Sequence, residues 1–144
     1  MSKQKIKLDI GCGKNKKPGF IGIDIDPSSG ADIIAPALSL PFTDETVDEV
    51  YSSHLVEHFY PEEAQKFFNE IYRVLKKGGI VNLKIDRDWT IKRLLTKDLS
   101  HKYRYNTREI KEMVEKFSQK KVEDRIYFFS WNKPRRKIFV KLVK

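Results

Sequence analysis

Four clusters in this 144-residue chain carry side chains or turns that could do chemistry. Gly11-Cys12-Gly13 follows directly on a strand-like run, Ile6 to Ile10. A buried strand that breaks into Gly-x-Gly makes a turn where the backbone can come close to something else. Thirteen residues after Gly11, a second run, Phe20-Ile21-Gly22-Ile23, ends in Asp24. Two neighbouring parallel strands, with a glycine turn after the first and an acid after the second, frame a nucleoside-shaped site. The glycines admit the ligand, and the acid accepts hydrogen bonds from a ribose diol. His54-Leu55-Val56-Glu57-His58 is the third cluster. Two imidazoles four apart on a helix face could ligate zinc, with Glu57 as base. Asp86 is the fourth, a carboxylate directly after an apolar run and so expected to face the same pocket.

The spacing of the first two clusters argues against a dinucleotide. A pyrophosphate turn wants a third Gly and an acid about twenty residues on. Here Lys16 stands in place of that Gly, and Asp24 comes early. The stretch Leu8 to Gly13 instead resembles the first motif of class I S-adenosylmethionine-dependent methyltransferases, and Gly22-Ile23-Asp24-Ile25 resembles their second. Leu40-Pro41-Phe42 through Asp48, then Ser53 to His58, is similar to the segment that ends the strand beside the methyl group in that family. Arg73 to Gly79, before a fifth strand, is similar too. The resemblance is specific over residues 6–85 and architectural beyond.

The elements that must position these groups follow from periodicity. Strands are expected over 6–10, 20–24, 31–35, 47–52, 80–85, 121–130 and 137–143. Only six residues, Lys14 to Gly19, separate Gly13 from the second strand. A parallel crossover normally takes a dozen or more. Six extended residues reach about 20 Å, just enough to run back along a short strand, so the first crossover helix is expected to be missing or reduced. That leaves no helix N-terminus for a ligand carboxylate, and Lys14 or Lys16 becomes the candidate point charge. Helices are expected over 61–77 and 107–117, the latter with Asn106 and Glu109 as a capping box. A further helix after Asp88 would carry Ile91, Leu94, Leu95 and Leu99. The fold class expected is α/β, a Rossmann-like, seven-stranded, mostly parallel sheet in order 3-2-1-4-5-7-6 with a C-terminal antiparallel hairpin. Residues 1–144 are expected to form one domain.

Composition bounds the rest. Charged residues make up 34% and apolar ones 40%, as in ordinary soluble globular proteins. No apolar run approaches eighteen residues, so no helical membrane span is expected, and the N-terminal residues lead into a strand rather than a signal peptide. Cys12 is the only cysteine, which excludes internal disulfides and favours a cytoplasmic setting. The net charge of +9 is uneven: residues 1–80 carry 10 Lys/Arg against 12 Asp/Glu, and residues 81–144 carry 19 against 8. The basic half points to an anionic partner. Trp131, Lys133, Arg135 and Arg136 are expected to rim the ligand side of the sheet, where the sixth strand ends.

The resemblance implies S-adenosyl-L-methionine as cofactor. Asp9, Gly11, Cys12 and Gly13 would meet its methionine end, Asp24 the ribose, and Ile25 and Leu38 the adenine. Ser53 and His54 would lie near the transfer point. Many relatives carry an Asp shortly before Leu-Pro-Phe that accepts from the adenine amino group; here Ala35-Pro36-Ala37-Leu38 offers none. Candidate catalytic groups are His54, Glu57 and Asp86, with His101, Tyr103 and Tyr105 as a candidate acceptor wall. The expected activity is methyl transfer to a small-molecule or glycan-type acceptor, anionic and phosphate-bearing. The basic half keeps an RNA acceptor as the alternative, although no Asn-Pro-Pro-aromatic signature follows the fourth strand, which disfavours exocyclic base amines. A non-catalytic cofactor-binding module is the third class. The H-x-x-E-H pattern also matches a zinc peptidase family; with His101 as the only other His, no metal site is assigned.

Overall fold

In the computed structural model, residues 4–87, 100–129 and 133–144 are described. Asp88, the apolar stripe Ile91 to Leu99, and Trp131 fall outside them. The strands are β1 (Lys7–Ile10), β2 (Ile21–Asp24), β3 (Ile33–Ile34), β4 (Val47–Ser53), β5 (Leu75–Asp86), β6 (Gln119–Phe129) and β7 (Lys133–Val143). The helices are α1 (Pro61–Val74) and α2 (Thr107–Met113). All seven strands form one sheet in the order β3-β2-β1-β4-β5-β7-β6, as expected. Strands β1 to β5 pair in parallel, and β7 runs antiparallel to both β5 and β6. The end of β6 therefore lies on the same edge as the ends of β1 to β5, where open α/β sheets bind ligands.

No helix forms between β1 and β2. Six residues leave no room for one, and the loop is held by side chains instead. Asp9 Oδ2 accepts from Lys17 N at 2.7 Å, and Ile23 O accepts from Gly11 N and Cys12 N at 2.8 and 3.2 Å. The β2–β3 and β3–β4 connections hold no α-helix either, only a short turn of 3₁₀ helix at Pro27–Ser29.

Helix α1 buries Ala64, Phe67, Phe68, Ile71 and Val74, spaced at three and four, against the sheet. Pro61 opens it, and Glu63 accepts from Tyr60 N at 3.0 Å. Helix α2 lies alongside: Gln65 Nε2 donates to Met113 O at 3.1 Å, and Tyr72 meets Phe117 edge-on. Its Asn106–Glu109 capping box is present as expected. The sheet alternates accordingly. Leu8, Ile10, Val50, Val81, Leu83, Ile138, Val140 and Leu142 are buried on the helix side. Lys7, Tyr51, Asn82, Lys84, Phe139 and Lys141 take the intervening positions. Among the described residues, that second face carries no helix.

One boundary differs from expectation. Helix α1 ends at Val74 and not at Lys77, and β5 begins at Leu75. The carbonyls of Arg73 and Val74 accept from Glu45 N and Thr46 N, and Leu75 pairs with Val47. Pairing with β4 satisfies groups that a further helical turn would have used. Gly78, at φ 77°, then turns the chain within the strand.

Candidate functional site

The ends of β1 and β4 and the loop after β1 enclose a cleft of about 420 Å³ lined by Asp9, Gly11, Cys12, Gly13, Lys14 and Asn15 on one side and Tyr51, Ser53 and His54 on the other. The first wall is the glycine turn. Gly11 and Gly13 have φ of 69° and 51°, values that side-chain-bearing residues rarely adopt. A Cβ on Gly13 would project into open space, and one on Gly11 would sit 3.0 Å from Leu55. The turn is thus open at Gly13, while at Gly11 the missing Cβ makes room for the Leu55 side chain.

Asp24 closes this wall. Its Oδ2 accepts from Gly13 N at 2.8 Å and its Oδ1 from Asp26 N at 2.9 Å. Each oxygen has a second lone pair, so the carboxylate can still accept from a diol. Ile25, next in the chain, stands 71% exposed, an apolar side chain beside Asp24. Leu38 is half-buried and packed against the core. Neither residue lines the cleft. Cys12 is buried, and desolvation pushes its thiol pKa up, so it sits there as a small apolar residue.

Asp9 is 3% exposed at the floor of the cleft. Desolvation pushes its carboxyl above the ordinary aspartate range, outweighing the Lys17 N–H bond that favours the ion. An acid raised in this way contributes stability that is present below its unfolded pKa, about 3.9. That contribution is lost as pH rises through the folded value. Asp9→Asn keeps an oxygen for Lys17 N and removes the charge. It should therefore raise the melting temperature at pH 7 by about 2–4 °C and flatten its pH dependence above pH 4. A melting temperature that falls would show that the buried charge is not a burden.

The two candidate point charges divide. Lys16 Nζ binds both oxygens of Asp32, at 2.8 and 2.9 Å, an exposed pair that holds Asp32 below the usual carboxylate range together with Gly22 N. Lys16 is thereby turned away from the role expected of it. Lys14 lines the cleft.

The opposite wall turns on His54. Its φ of 59° is left-handed, an uncommon conformation for a residue with a Cβ. Its N–H donates to Lys84 O at 2.9 Å, ending β4. The ring lies between three charged groups. Nδ1 is 3.3 Å from Glu57 Oε1 and 3.8 Å from Asp86 Oδ2; Nε2 is 3.0 Å from Lys137 Nζ. An ammonium can only donate, so these neighbours assign the tautomer with Nδ1–H toward the carboxylates and the lone pair on Nε2. Glu57 is 0% exposed, and neither of its oxygens receives a hydrogen bond among the described residues. Glu57, expected as a catalytic candidate, lies buried behind His54 and does not line the cleft. Asp86, the last residue of β5, lies beside the same imidazole but does not itself line the cleft.

The H-x-x-E-H motif does not form the helix face that a zinc pair requires. Val56–His58 is a single 3₁₀ turn, and His54 belongs to the strand end. Among the described residues, clusters with metal-ligating spacing are His54–Glu57–Asp86 and Glu57–His58–His101, which separate the two imidazoles of the motif. His58 Nδ1 meets Ser100 O, and its ring stands edge-on to His101 at 4.8 Å. The expected acceptor wall does not form either: Tyr105 is fully buried with its hydroxyl donating to Phe59 O, and Tyr103 donates to Glu109.

Tyr51, in the cleft, and Lys137, beside His54, are not marked by any local motif. Tyr51 sits two before Ser53, so strand alternation alone puts both on one face. Lys137 is 83 residues from His54, and only the pairing of Asp86 with Lys137 brings it there. Arg87 N donates to Arg136 O, so the exposed Arg135 and Arg136 stand on the ligand edge as expected.

Comparison with known proteins now adds to this geometry. Among solved structures, the chain superposes on a phosphoethanolamine N-methyltransferase 2 from Haemonchus contortus in complex with S-adenosyl-L-methionine. The TM-score is 0.76 at 19% identity, covering 100% of this chain and 49% of the other. A SAM-dependent methyltransferase from Archaeoglobus fulgidus gives 0.75 at 18%, covering 97% and 86%. These likenesses establish the fold. Among curated relatives, an uncharacterized methyltransferase of Mycobacterium leprae is 33% identical over 99 residues, 55% of this chain and 36% of the relative. A tRNA (carboxymethyluridine(34)-5-O)-methyltransferase of Arabidopsis thaliana is 33% identical over 117 residues, 67% of this chain and 28% of the relative. The chain spans about a third of the length of the curated relatives it matches. No helix among the described residues is long and apolar enough to cross a membrane. Residues 8–83, which hold the glycine turn, Asp24 and the His54 wall, match the methyltransferase domain family, and the chain belongs to that family, whose methyl donor is S-adenosylmethionine.

Proposed function

We propose that this chain transfers a methyl group from S-adenosylmethionine to an anionic acceptor, with His54 receiving the proton that the acceptor gives up. The observation that carries this is the pair of facing walls: a glycine turn tied to Asp24 on one side, and on the other an imidazole whose Nε2 lone pair is turned to the Lys137 ammonium. The residues present fit the cofactor. Asp24 would hold the ribose diol, Ile25 would cover one side of the adenine, and Leu38 would approach from the β3–β4 connection. Asp9 lies where the methionine ammonium would come, and a cation there would relieve its buried charge. Lys14 would take the carboxylate. The bound cofactor supplies a methyl group activated by a sulfonium centre.

The protein's own part is to orient and to move one proton. Ser53 and His54 would hold the acceptor in line and near contact, a placement worth several orders of magnitude in rate. Glu57 and Asp86 fix the ring and stabilise the imidazolium that forms. Lys137 marks the acceptor's sign. An anionic group drawn to its ammonium would bring the nucleophile to the Nε2 lone pair that Lys137 now covers. A phosphate-bearing small molecule, the kind that the Haemonchus neighbour's name implies, meets that requirement. RNA, the acceptor in the Arabidopsis relative's name, meets it too. A reducing, cytoplasmic setting suits the lone Cys12 thiol.

Calorimetry with S-adenosylhomocysteine, followed by incubation with labelled cofactor and a cell extract, tests the proposal. Micromolar binding and a labelled product are expected. Binding without any product would return the chain to a cofactor-binding module, and no binding would remove the cofactor altogether.

A further inference from the structure

Among the described residues, one face of the sheet carries no helix, and it is not an ordinary solvated surface. Core sheets in α/β proteins are covered on both sides and read as apolar on both. Here the side opposite α1 and α2 presents a shallow dish of about 460 Å³. Five cations line it, Lys17, Lys84, Lys121, Arg125 and Lys141, against one carboxylate, Glu123. Glu123 is engaged by Lys121 and Arg125 at 2.9 and 2.5 Å. That leaves Lys17, Lys84 and Lys141 without an ion pair among the described residues. Aromatic rings stand between the cations. Lys17 Nζ lies 4.2 Å from the Tyr51 ring centroid and Lys84 Nζ 5.8 Å from it; Arg125 covers Phe139 at 4.9 Å.

The dish is continuous with the cleft. Tyr51 lines both. Ser53, at the cleft, is in register with Lys84 on β5, and Lys84 with Phe139 on β7. One row of side chains thus runs from the transfer point across the sheet. Tyr51 and Phe139 are two strands apart, about 10 Å across the sheet.

We propose that this bare face binds single-stranded RNA and leads a nucleotide into the cleft beside His54. Lysine and arginine cations answer the phosphates, and the half-exposed rings of Tyr51 and Phe139, which those cations now cover, answer unstacked bases. A single small anion would need one or two of these charges; a set of them spread over β5, β6, β7 and the β1–β2 loop matches a repeating polyanion. The inference rests on the methyl-transfer reading for its direction into the cleft and deepens it by naming the acceptor class.

The test is fluorescence anisotropy of the full chain with a labelled single-stranded RNA oligonucleotide over a range of salt. Wild type should bind with a log–log salt slope of about −3, and Lys84→Glu with Lys141→Glu should weaken binding at low salt by more than about tenfold and flatten the slope by about 1.4. Phe139→Ala should weaken binding by about tenfold without changing the slope. These are exposed or half-exposed positions, and circular dichroism with S-adenosylhomocysteine calorimetry checks that each variant folds. Unchanged RNA affinity in the double variant would overturn the proposal. So would displacement of the RNA by poly-glutamate at equal charge concentration, which would make the face an acidic-protein surface. RNA binding by a wild-type chain that ignores S-adenosylhomocysteine would instead sink the methyl-transfer reading and leave the RNA face standing.

Discussion

Asp24→Ala should weaken S-adenosylhomocysteine binding by about 100-fold or more, measured by calorimetry beside wild type. Two charge-assisted hydrogen bonds to a ribose diol contribute about 1.5–3 kcal/mol each. The alanine also strips Gly13 N of its acceptor at 2.8 Å, which loosens the turn that must lie against the ligand. A partial substitution separates the two effects. Asp24→Asn retains one oxygen for Gly13 and loses the charge, so its binding should fall by about tenfold only. Equal binding in wild type and the alanine variant would mean that the nucleoside does not sit between β1 and β2.

The second large effect is on rate. His54→Asn should lower labelled-methyl incorporation into the acceptor by about 10²–10⁴-fold, with S-adenosylhomocysteine affinity unchanged within about twofold. Asparagine is the informative replacement because it tolerates the left-handed backbone at this position. A glycine or alanine there would alter the main chain as well. Glu57→Gln should produce a smaller fall in rate and leave the acceptor KM unchanged, since Glu57 is sealed behind the ring. If His54→Asn leaves the rate intact, the acceptor gives up its proton elsewhere, and the imidazole only ends the strand.

Most of the sheet was legible because the strands are short apolar or alternating runs and several, such as 6–10, 20–24 and 80–85, are bounded by Gly or Asp. The missing crossover helix was legible from chain length alone, since six residues cannot make one. The junction of α1 and β5 was not. Arg73 to Gly79 has the cations and glycines of a helix end, and nothing local says that Glu45 and Thr46, some thirty residues earlier, will take the last carbonyls. The cleft divides in the same way. Asp9, Gly11, Gly13 and Asp24 were readable because close neighbours in sequence build that wall. The fate of Lys16 was not, since it depends on Asp32 across the loop. Nor was Lys137, whose place beside His54 depends on the register of a hairpin that begins more than sixty residues later. The H-x-x-E-H letters misled about geometry because they presuppose a helix that β4 and its strained last residue prevent.

Dispensing with crossover helices also shapes how this chain must find its structure. Leu8 pairs with Val50, and Ser52 Oγ donates to Ile10 O 42 residues away, with only loops, a 3₁₀ turn and the short strands β2 and β3 between them to shorten the search. Loop closure of that kind is slow, and topologies dominated by it fold in milliseconds to seconds. The β6–β7 hairpin needs no such search and can form within about 10 μs. Refolding should then begin at the C-terminal hairpin and α1, with the nucleotide wall assembled last. Substitutions in β1 would mainly speed unfolding, while those in the hairpin would slow folding itself.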